Sequence, residues 1–163
     1  LMRAALVAWE RDLGETNNRT LVAMNGLAYL LEERGNLDEA EALYRRVVDL
    51  TAQSIGRNHP EAFGPLNNLA MLLKSNEKYG EATALFDELL ANAAAVLPED
   101  HYFLGIFRGN AGECRMLAGE FDAAETLLRD SERILRASLG EEHPRTVKAV
   151  ERLERLREMR SGG

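Results

Sequence analysis

The chain has 163 residues, 45% of them hydrophobic, with 20 lysine and arginine residues against 27 aspartate and glutamate residues. The net charge of −7 argues against a nucleic-acid or anionic-membrane partner, since both need a basic face. No apolar run approaches the roughly 18 residues that a membrane span needs, and the single cysteine has no partner for an internal disulfide. These features favour a cytoplasmic location.

A repeat of 42 residues organises the sequence, because similar turn sequences surround His59, His101 and His143. A weaker copy lies 42 residues before His59, around Asn17. Periods of about 20–50 residues are typical of solenoids, in which each unit buries its apolar face only against its neighbours. We therefore expect a stack of about four units.

Each repeat is predicted to contain two helices, since apolar residues recur at helical spacing and no stretch alternates as a strand would. In chain order the predicted helices cover residues 1–13, 20–34, 37–55, 62–75, 79–96, 102–118, 121–139 and 144–159. Pro65 is expected to delay or kink the fourth helix near Gly64, because proline lacks the backbone donor.

The helices fall into one array with incomplete ends. We divide it into the second helix of a truncated repeat (1–14), three full repeats (17–56, 59–98 and 101–140), a capping helix (143–160) and a tail (161–163). Glu154 stands where the earlier first helices carry a small residue, and burying its carboxylate under a further helix would cost much free energy. The capping helix should therefore present a solvated face.

Small residues recur where helices must approach closely. Two sets have equivalent places in successive repeats: Ala28, Ala70 and Gly112 in the first helices, and Ala40, Ala82 and Ala124 in the second. A large aromatic residue follows four positions after two of the latter, as Tyr44 and Phe86. Small residues opposite large ones are what interdigitated helix pairs require.

This pattern resembles the tetratricopeptide repeat, and the repeat length resembles its kinesin-light-chain subtype. That subtype carries a Leu-Gly-x-x-His-Pro turn, an Asn-Asn-Leu-Ala string and a Gly-x-Tyr-x-Glu-Ala string. The counterparts here lie at residues 139–144, 66–70 and 79–82. The resemblance implies an all-α fold, a right-handed superhelix of stacked antiparallel helix pairs with about eight helices.

The resemblance also implies a concave groove lined by the first helices, in which a protein or peptide ligand would lie. By phase, the groove residues are Asn25, Tyr29, Asn67, Asn68, Met71, Lys74, Asn110, Glu113, Lys148, Arg152 and Arg155. The asparagines form a ladder, and amide side chains can pair with the backbone of an extended peptide. The alternative is that they only bond neighbouring helices.

Charge is unevenly distributed along this groove. Glu32 and Glu33 lie towards its N-terminal part, and the cations Lys148, Arg152 and Arg155 towards its C-terminal part. A basic inner end could select acidic segments or a free carboxylate, and Asn110, Lys148 and Arg152 match part of the carboxylate clamp of chaperone-binding members of the resembled family. The alternative is that these cations only solvate the cap.

No catalytic or metal site is expected. The three histidines occupy equivalent places in stacked repeats, about 10 Å or more apart, whereas zinc ligands must lie within about 2.1 Å of one point. The histidines should instead cap or pack the turns. Cys114 has no nearby histidine and should be a partly buried free thiol. We expect no cofactor and no enzymatic activity.

The sequence therefore predicts a non-catalytic scaffold that holds an extended peptide, acidic or C-terminal in character. A second hypothesis is an assembly module that self-associates through an exposed N-terminal helix, with Met2, Leu6, Trp9 and Leu13 on one face. A third, by analogy alone, is the regulatory array of a larger bacterial signalling enzyme.

Overall fold

The structure, a computed structural model, describes residues 2–161 and, for Met2, the backbone alone. Within that range the chain forms eight α-helices and no β-strand, which confirms the all-α prediction. The predicted first helical residue, Leu1, and the predicted tail residues Gly162 and Gly163 lie outside the described residues. The chain divides into two compact units, residues 1–76 and 77–163, and the division falls between the two helices of the second predicted repeat.

The first unit contains four helices, each packed against the next: α1 (Met2–Leu13), α2 (Asn18–Glu33), α3 (Leu37–Ile55) and α4 (Pro60–Ser75). Leu6, Met24 and Val47, from three successive helices, form a buried cluster. The ring of Tyr44 on α3 is also buried, at the place that the small-and-large alternation predicts.

The second unit contains α5 (Tyr79–Ala94), α6 (Tyr102–Leu117), α7 (Phe121–Leu139) and α8 (Pro144–Ser161). Helix α6 lies at its centre and contacts the other three. Met116, Leu128 and Leu156, from α6, α7 and α8, form its buried cluster. Glu154 on α8 is exposed, as expected for a capping helix.

Helices α3 and α7 begin and end at the predicted residues, but α4 does not. It begins at Pro60, two residues earlier than predicted, and continues through Pro65. The prediction that Pro65 delays the helix is therefore wrong. Pro65 is the sixth residue of α4, so the donor that it lacks removes one hydrogen bond near the first turn, and the bonds beyond it hold the helix.

The approach of α6 to α7 in the second unit depends on glycine. A Cβ added at Gly112 would lie 2.8 Å from Leu128 Cγ, and one added at Gly105 would lie 2.9 Å from Leu135 Cγ. The Ser131 hydroxyl donates to the Gly105 carbonyl oxygen across the same seam at 2.7 Å. Alanines 28 and 70, at the place of Gly112 in the earlier repeats, are fully buried. The predicted positions of close approach are thus all in the interior.

The first helix of every repeat begins with the same kind of cap. Asn17 Oδ1 accepts a hydrogen bond from the Arg19 backbone N–H at 3.0 Å. Each of the three histidines accepts the corresponding bond through Nδ1 at 3.2 Å. A side-chain acceptor here satisfies one of the donors that a helix start leaves without a partner. The histidines therefore cap helices, as the sequence suggests.

One turn residue adopts a backbone conformation that favours glycine. Glu77 has φ +58°, and the equivalent turn residues in the adjacent repeats are Gly35 and Gly119, with φ +76° and +81°. The left-handed conformation costs a residue with a Cβ roughly 1–2 kcal/mol. The α4–α5 turn is therefore more strained than its two counterparts.

The cap at α4 can be tested by substitution. His59→Ala removes the acceptor, and we expect the free energy of unfolding to fall by about 1 kcal/mol. His59→Asn keeps an acceptor of the kind that Asn17 provides and should stay within about 0.3 kcal/mol of wild type. Urea unfolding followed by far-UV circular dichroism measures both. Equal losses in the two variants would show that the imidazole acts by packing rather than as a cap.

Candidate functional site

In the first unit, the outward face of α2 combines an amide with two large exposed side chains. Val22, Asn25 and Tyr29 share one face of the helix by their spacing. Val22 is 65% exposed and Tyr29 is 54% exposed. Asn68 Nδ2 on α4 donates to Asn25 Oδ1 at 3.2 Å. This bond fixes the Asn25 amide and leaves the hydrogens on its nitrogen to meet another acceptor.

The remaining first-unit residues of the predicted groove lie on α4. Asn67, Asn68 and Met71 are half-buried, whereas Lys74 is buried. The structure therefore brings Asn25 and Asn68 into direct contact. It leaves Tyr29 as the most exposed of the predicted first-unit groove residues.

In the second unit, a buried guanidinium links α8 to α6. Arg152 is 8% exposed, and its Nη2 donates to Asn110 Oδ1 at 2.9 Å and to Glu113 Oε2 at 3.0 Å. Its Nε has no partner among the described residues. Gly109 makes room for the head group, since a Cβ there would lie 2.7 Å from Arg152 Nη1. A carboxylate of the same chain thus already occupies this guanidinium.

This network makes two of the predicted clamp residues, Asn110 and Arg152, less available to a ligand. Asn110 and Arg152 come together as the resemblance implies, but they bond to each other and to Glu113. Lys148 and Arg155, on the same helix, are exposed. An approaching anion would therefore meet these two cations before it reached Arg152.

Glu32, on α2, lies beside the ring of Tyr44. The Tyr44 hydroxyl donates to Glu32 Oε2 at 3.2 Å. Partial burial raises the pKa of the Glu32 carboxyl; the bond from Tyr44 lowers it, and the nearby Glu33 carboxylate adds to the rise, so the net shift is upwards. Burial and the Glu32 charge raise the pKa of the Tyr44 hydroxyl well above its ordinary value. Burial and the Glu33 charge therefore favour the protonated form of Glu32 in the folded protein, although the bond from Tyr44 favours the carboxylate.

The predicted assembly face on α1 is partly exposed. Trp9 is 41% exposed and Leu13 is 42% exposed, while the side chain of Met2 lies outside the described residues. The prediction that Leu6 is exposed is wrong, because it is 7% exposed and packs against Met24 and Val47. Val7, which the sequence did not single out, is 64% exposed.

A cleft between α2, α3 and α4 was not predicted from the sequence. It has a volume of about 380 Å³. Its apolar walls include Val22, Ile55 and Pro65, and Thr51 and Glu61 are among its polar residues. Thr51 is 4% exposed, and its hydroxyl has no hydrogen-bond partner within the described chain.

Two further sequence predictions concern chemistry and membranes. Cys114 is a free thiol that is completely rather than partly buried, with Sγ 3.9 Å from the Tyr79 carbonyl oxygen. Across residues 2–161, no three histidine, cysteine or acidic side chains are grouped so that they could hold a metal ion. None of the described helices is both long enough and apolar enough to cross a membrane. The cytoplasmic location stays a prediction.

Comparison with known proteins assigns the family. Residues 1–53, 19–95 and 61–137 match the sequence profile of the tetratricopeptide repeat. The chain belongs to the tetratricopeptide repeat family. Its fold is similar to that of kinesin-light-chain-like repeats. Its fold is that of a repeat scaffold for protein–protein interaction.

Two curated relatives are much longer than this chain. The Clustered mitochondria protein homolog of Emericella nidulans is 26% identical over 156 residues, which are 96% of this chain and 13% of that protein. Human Tetratricopeptide repeat protein 19, mitochondrial, is 38% identical over 89 residues, which are 55% of this chain and 23% of that protein. The chain thus spans less than a quarter of either relative.

Two solved structures have the same fold. A kinesin light chain of Podosopora anserina, with nearly identical TPR-like repeats, has a TM-score of 0.84 at 22% identity, covering 99% of this chain and 76% of that one. The type III secretion chaperone SycD of Yersinia enterocolitica, in complex with a peptide of the translocator YopD, has a TM-score of 0.66 at 16% identity. That likeness covers 90% of this chain and 98% of SycD.

The raised pKa of Glu32 predicts a pH-dependent contribution to stability. The folded state binds this proton more tightly than the unfolded state, so the contribution is present below the ordinary carboxyl pKa and is lost as the pH rises through the folded-state value. Relative to Glu32→Gln, the wild-type free energy of unfolding should therefore fall as the pH is raised from about 4, the ordinary carboxyl pKa, towards neutrality.

Urea titrations of both proteins across this pH range measure the difference. Glu99→Gln, at an exposed turn residue, is the matched control and should show no such trend. A difference between wild type and Glu32→Gln that stays flat or rises with pH would contradict the assignment.

Proposed function

We propose that this chain is a non-catalytic module that holds an extended segment of a partner protein against its first helices. The observation that carries the proposal is the outward face of α2, where Val22 and Tyr29 are more than half exposed on either side of Asn25. Exposed large apolar side chains in a cluster mark binding surfaces, and an amide between them can pair with a peptide backbone. Tyrosine is also among the residues enriched at binding hot spots.

The comparison with SycD supports a peptide as the ligand. That protein has the same fold and is seen with a peptide of its translocator YopD. A peptide-binding role for this chain agrees with the Asn25 amide nitrogen, which has no acceptor in the part of the chain that the structure describes, and with the exposed Tyr29 ring. Contacts to the peptide backbone would supply affinity, and side-chain contacts would supply specificity.

The predicted preference for acidic or C-terminal segments now depends on Lys148 and Arg155. Arg152 is engaged by Glu113, and separating that pair would leave the buried Arg152 guanidinium without its carboxylate partner. An acidic segment would therefore pair with the two exposed cations of α8, and added salt would weaken this attraction because both side chains are exposed.

A peptide-display library selected against the chain tests the proposed function. We expect enriched peptides whose affinity falls about tenfold for Tyr29→Ala, since exposed aromatic anchors carry much of the binding free energy. Val96→Ala, at an equally apolar exposed residue of the second unit, is the control and should bind as wild type does. If acidic peptides are enriched, Lys148→Glu/Arg155→Glu should weaken them. Enriched peptides that bind Tyr29→Ala as tightly as wild type, or no enrichment, would overturn the proposal.

A second candidate function, self-association through α1, is favoured by the exposed side chains of Val7, Trp9 and Leu13. If it is correct, the chain should sediment as a concentration-dependent oligomer in analytical ultracentrifugation. Trp9→Glu should make it monomeric, because a carboxylate would be buried in the contact. Val96→Glu should leave the oligomer intact. A wild-type chain that is monomeric at several hundred micromolar would exclude this candidate.

A further inference from the structure

The cleft between α2, α3 and α4 has a lining that is apolar along its walls and acidic at one point. The apolar part comes from Leu21, Val22, Ile55 and Pro65. Glu61 supplies a carboxylate, and the described residues that line the cleft include no cationic side chain. Its volume of about 380 Å³ lies at the small end of the range for ligand pockets, which suits one long side chain better than a whole small molecule.

Two polar groups in this cleft have no side-chain partner among residues 2–161. The Glu61 carboxylate is exposed and makes no ion pair within the described residues. The Thr51 hydroxyl is buried and unsatisfied within the same range. A buried hydroxyl without a partner costs about 1–3 kcal/mol, so a donor that reached it would be favoured. Thr51 is one of the residues that line the cleft.

We propose that the cleft binds an arginine side chain of the partner segment. An arginine stem is aliphatic and would cover Val22, Ile55 and Pro65, while its guanidinium would pair with the Glu61 carboxylate. Of its five donors, those not taken by Glu61 would be available to the Thr51 and Ser54 hydroxyls that also line the cleft. The net charge of −7 favours the approach of a basic segment.

Asn25 connects this cleft to the outward face of α2. It lines the cleft and, because its Oδ1 accepts from Asn68, it presents its amide nitrogen as a donor. That nitrogen is placed to bond a backbone carbonyl next to the bound arginine. The inference rests on the proposed function, since the arginine belongs to the segment that the module holds. It gives the first unit a specificity opposite in charge to the one predicted for α8.

Short peptides test the cleft without knowledge of the natural partner. The probe is acetyl-Ala-Arg-Ala-amide, titrated into the isotope-labelled chain and followed by amide chemical shifts. The matched probe is the citrulline peptide, which has nearly the same shape and no charge. We expect saturable shifts at residues 51–55 and 61–65 with the arginine peptide, and binding at least about tenfold weaker with the citrulline peptide.

Two charge-matched variants complete the experiment. Glu61→Gln should weaken the arginine peptide about tenfold, whereas Asp49→Asn, at an exposed residue of α3, should not change it. Equal binding of the two peptides, equal losses in both variants, or shifts confined to other residues would overturn the proposal.

The display selection distinguishes failure of this inference from failure of the proposed function. If the enriched peptides have no basic residue and bind Glu61→Gln as tightly as wild type, the proposal that the cleft binds arginine is overturned, and the proposed peptide-binding function is retained. No enriched peptides, together with a cleft that binds the arginine peptide, would overturn the groove and support the cleft. Enriched peptides with one fixed basic residue, weakened by Glu61→Gln and by Tyr29→Ala, would support both.

Discussion

Close contact between neighbouring helices through small side chains is the constraint on which the rest of this protein depends. No single helix pair has enough apolar surface to fold alone, so each repeat relies on the next. The fully buried Ala28, Ala70 and Ala82 mark where the backbones approach. Because those sites face inward, the opposite side of each first helix is left exposed, and on α2 it carries Val22 and Tyr29 beside Asn25. That division of each helix produces both the core and the surface available for binding.

The two units use this outer surface differently. In the first unit, Asn68 donates a hydrogen bond to Asn25, and the Asn25 amide nitrogen can still donate to a ligand. Tyr29 is exposed on the same helix as Asn25. In the second unit, Arg152 satisfies Asn110 and a carboxylate of its own chain, so its polar groups serve mainly to attach α8. Asn68 and Asn110 hold equivalent repeat positions, so under the proposed function the same residue type would serve recognition in the first unit and helix packing in the second.

Most of the fold could be predicted from the sequence, because a period that recurs through the chain identifies each helix several times over. The candidate site could be predicted only in part. The helical spacing places Leu6 on the apolar face of α1, but it does not show which helices will cover that face. In the structure, residues of α2 and α3 pack against Leu6. The charge pattern suggests that the Arg152 guanidinium is available to a ligand, because the sequence does not show that the Glu113 carboxylate will bond to it. The cleft that Thr51 lines depends on how α2, α3 and α4 pack against one another, and no single residue type predicts that packing.

The glycine seam between α6 and α7 limits how freely the repeats of this chain can be exchanged. Repeat arrays evolve by duplicating and recombining units of equal length, which requires the helices to be interchangeable. A copy of α2 or α4 in place of α6 would bring a methyl group to the position of Gly112, 2.8 Å from Leu128 Cγ. Helices α6 and α7 must therefore be inherited as a pair. Recombination can therefore preserve the packing of α6 against α7 when the chain is joined between repeats, but not when it is joined within the third repeat.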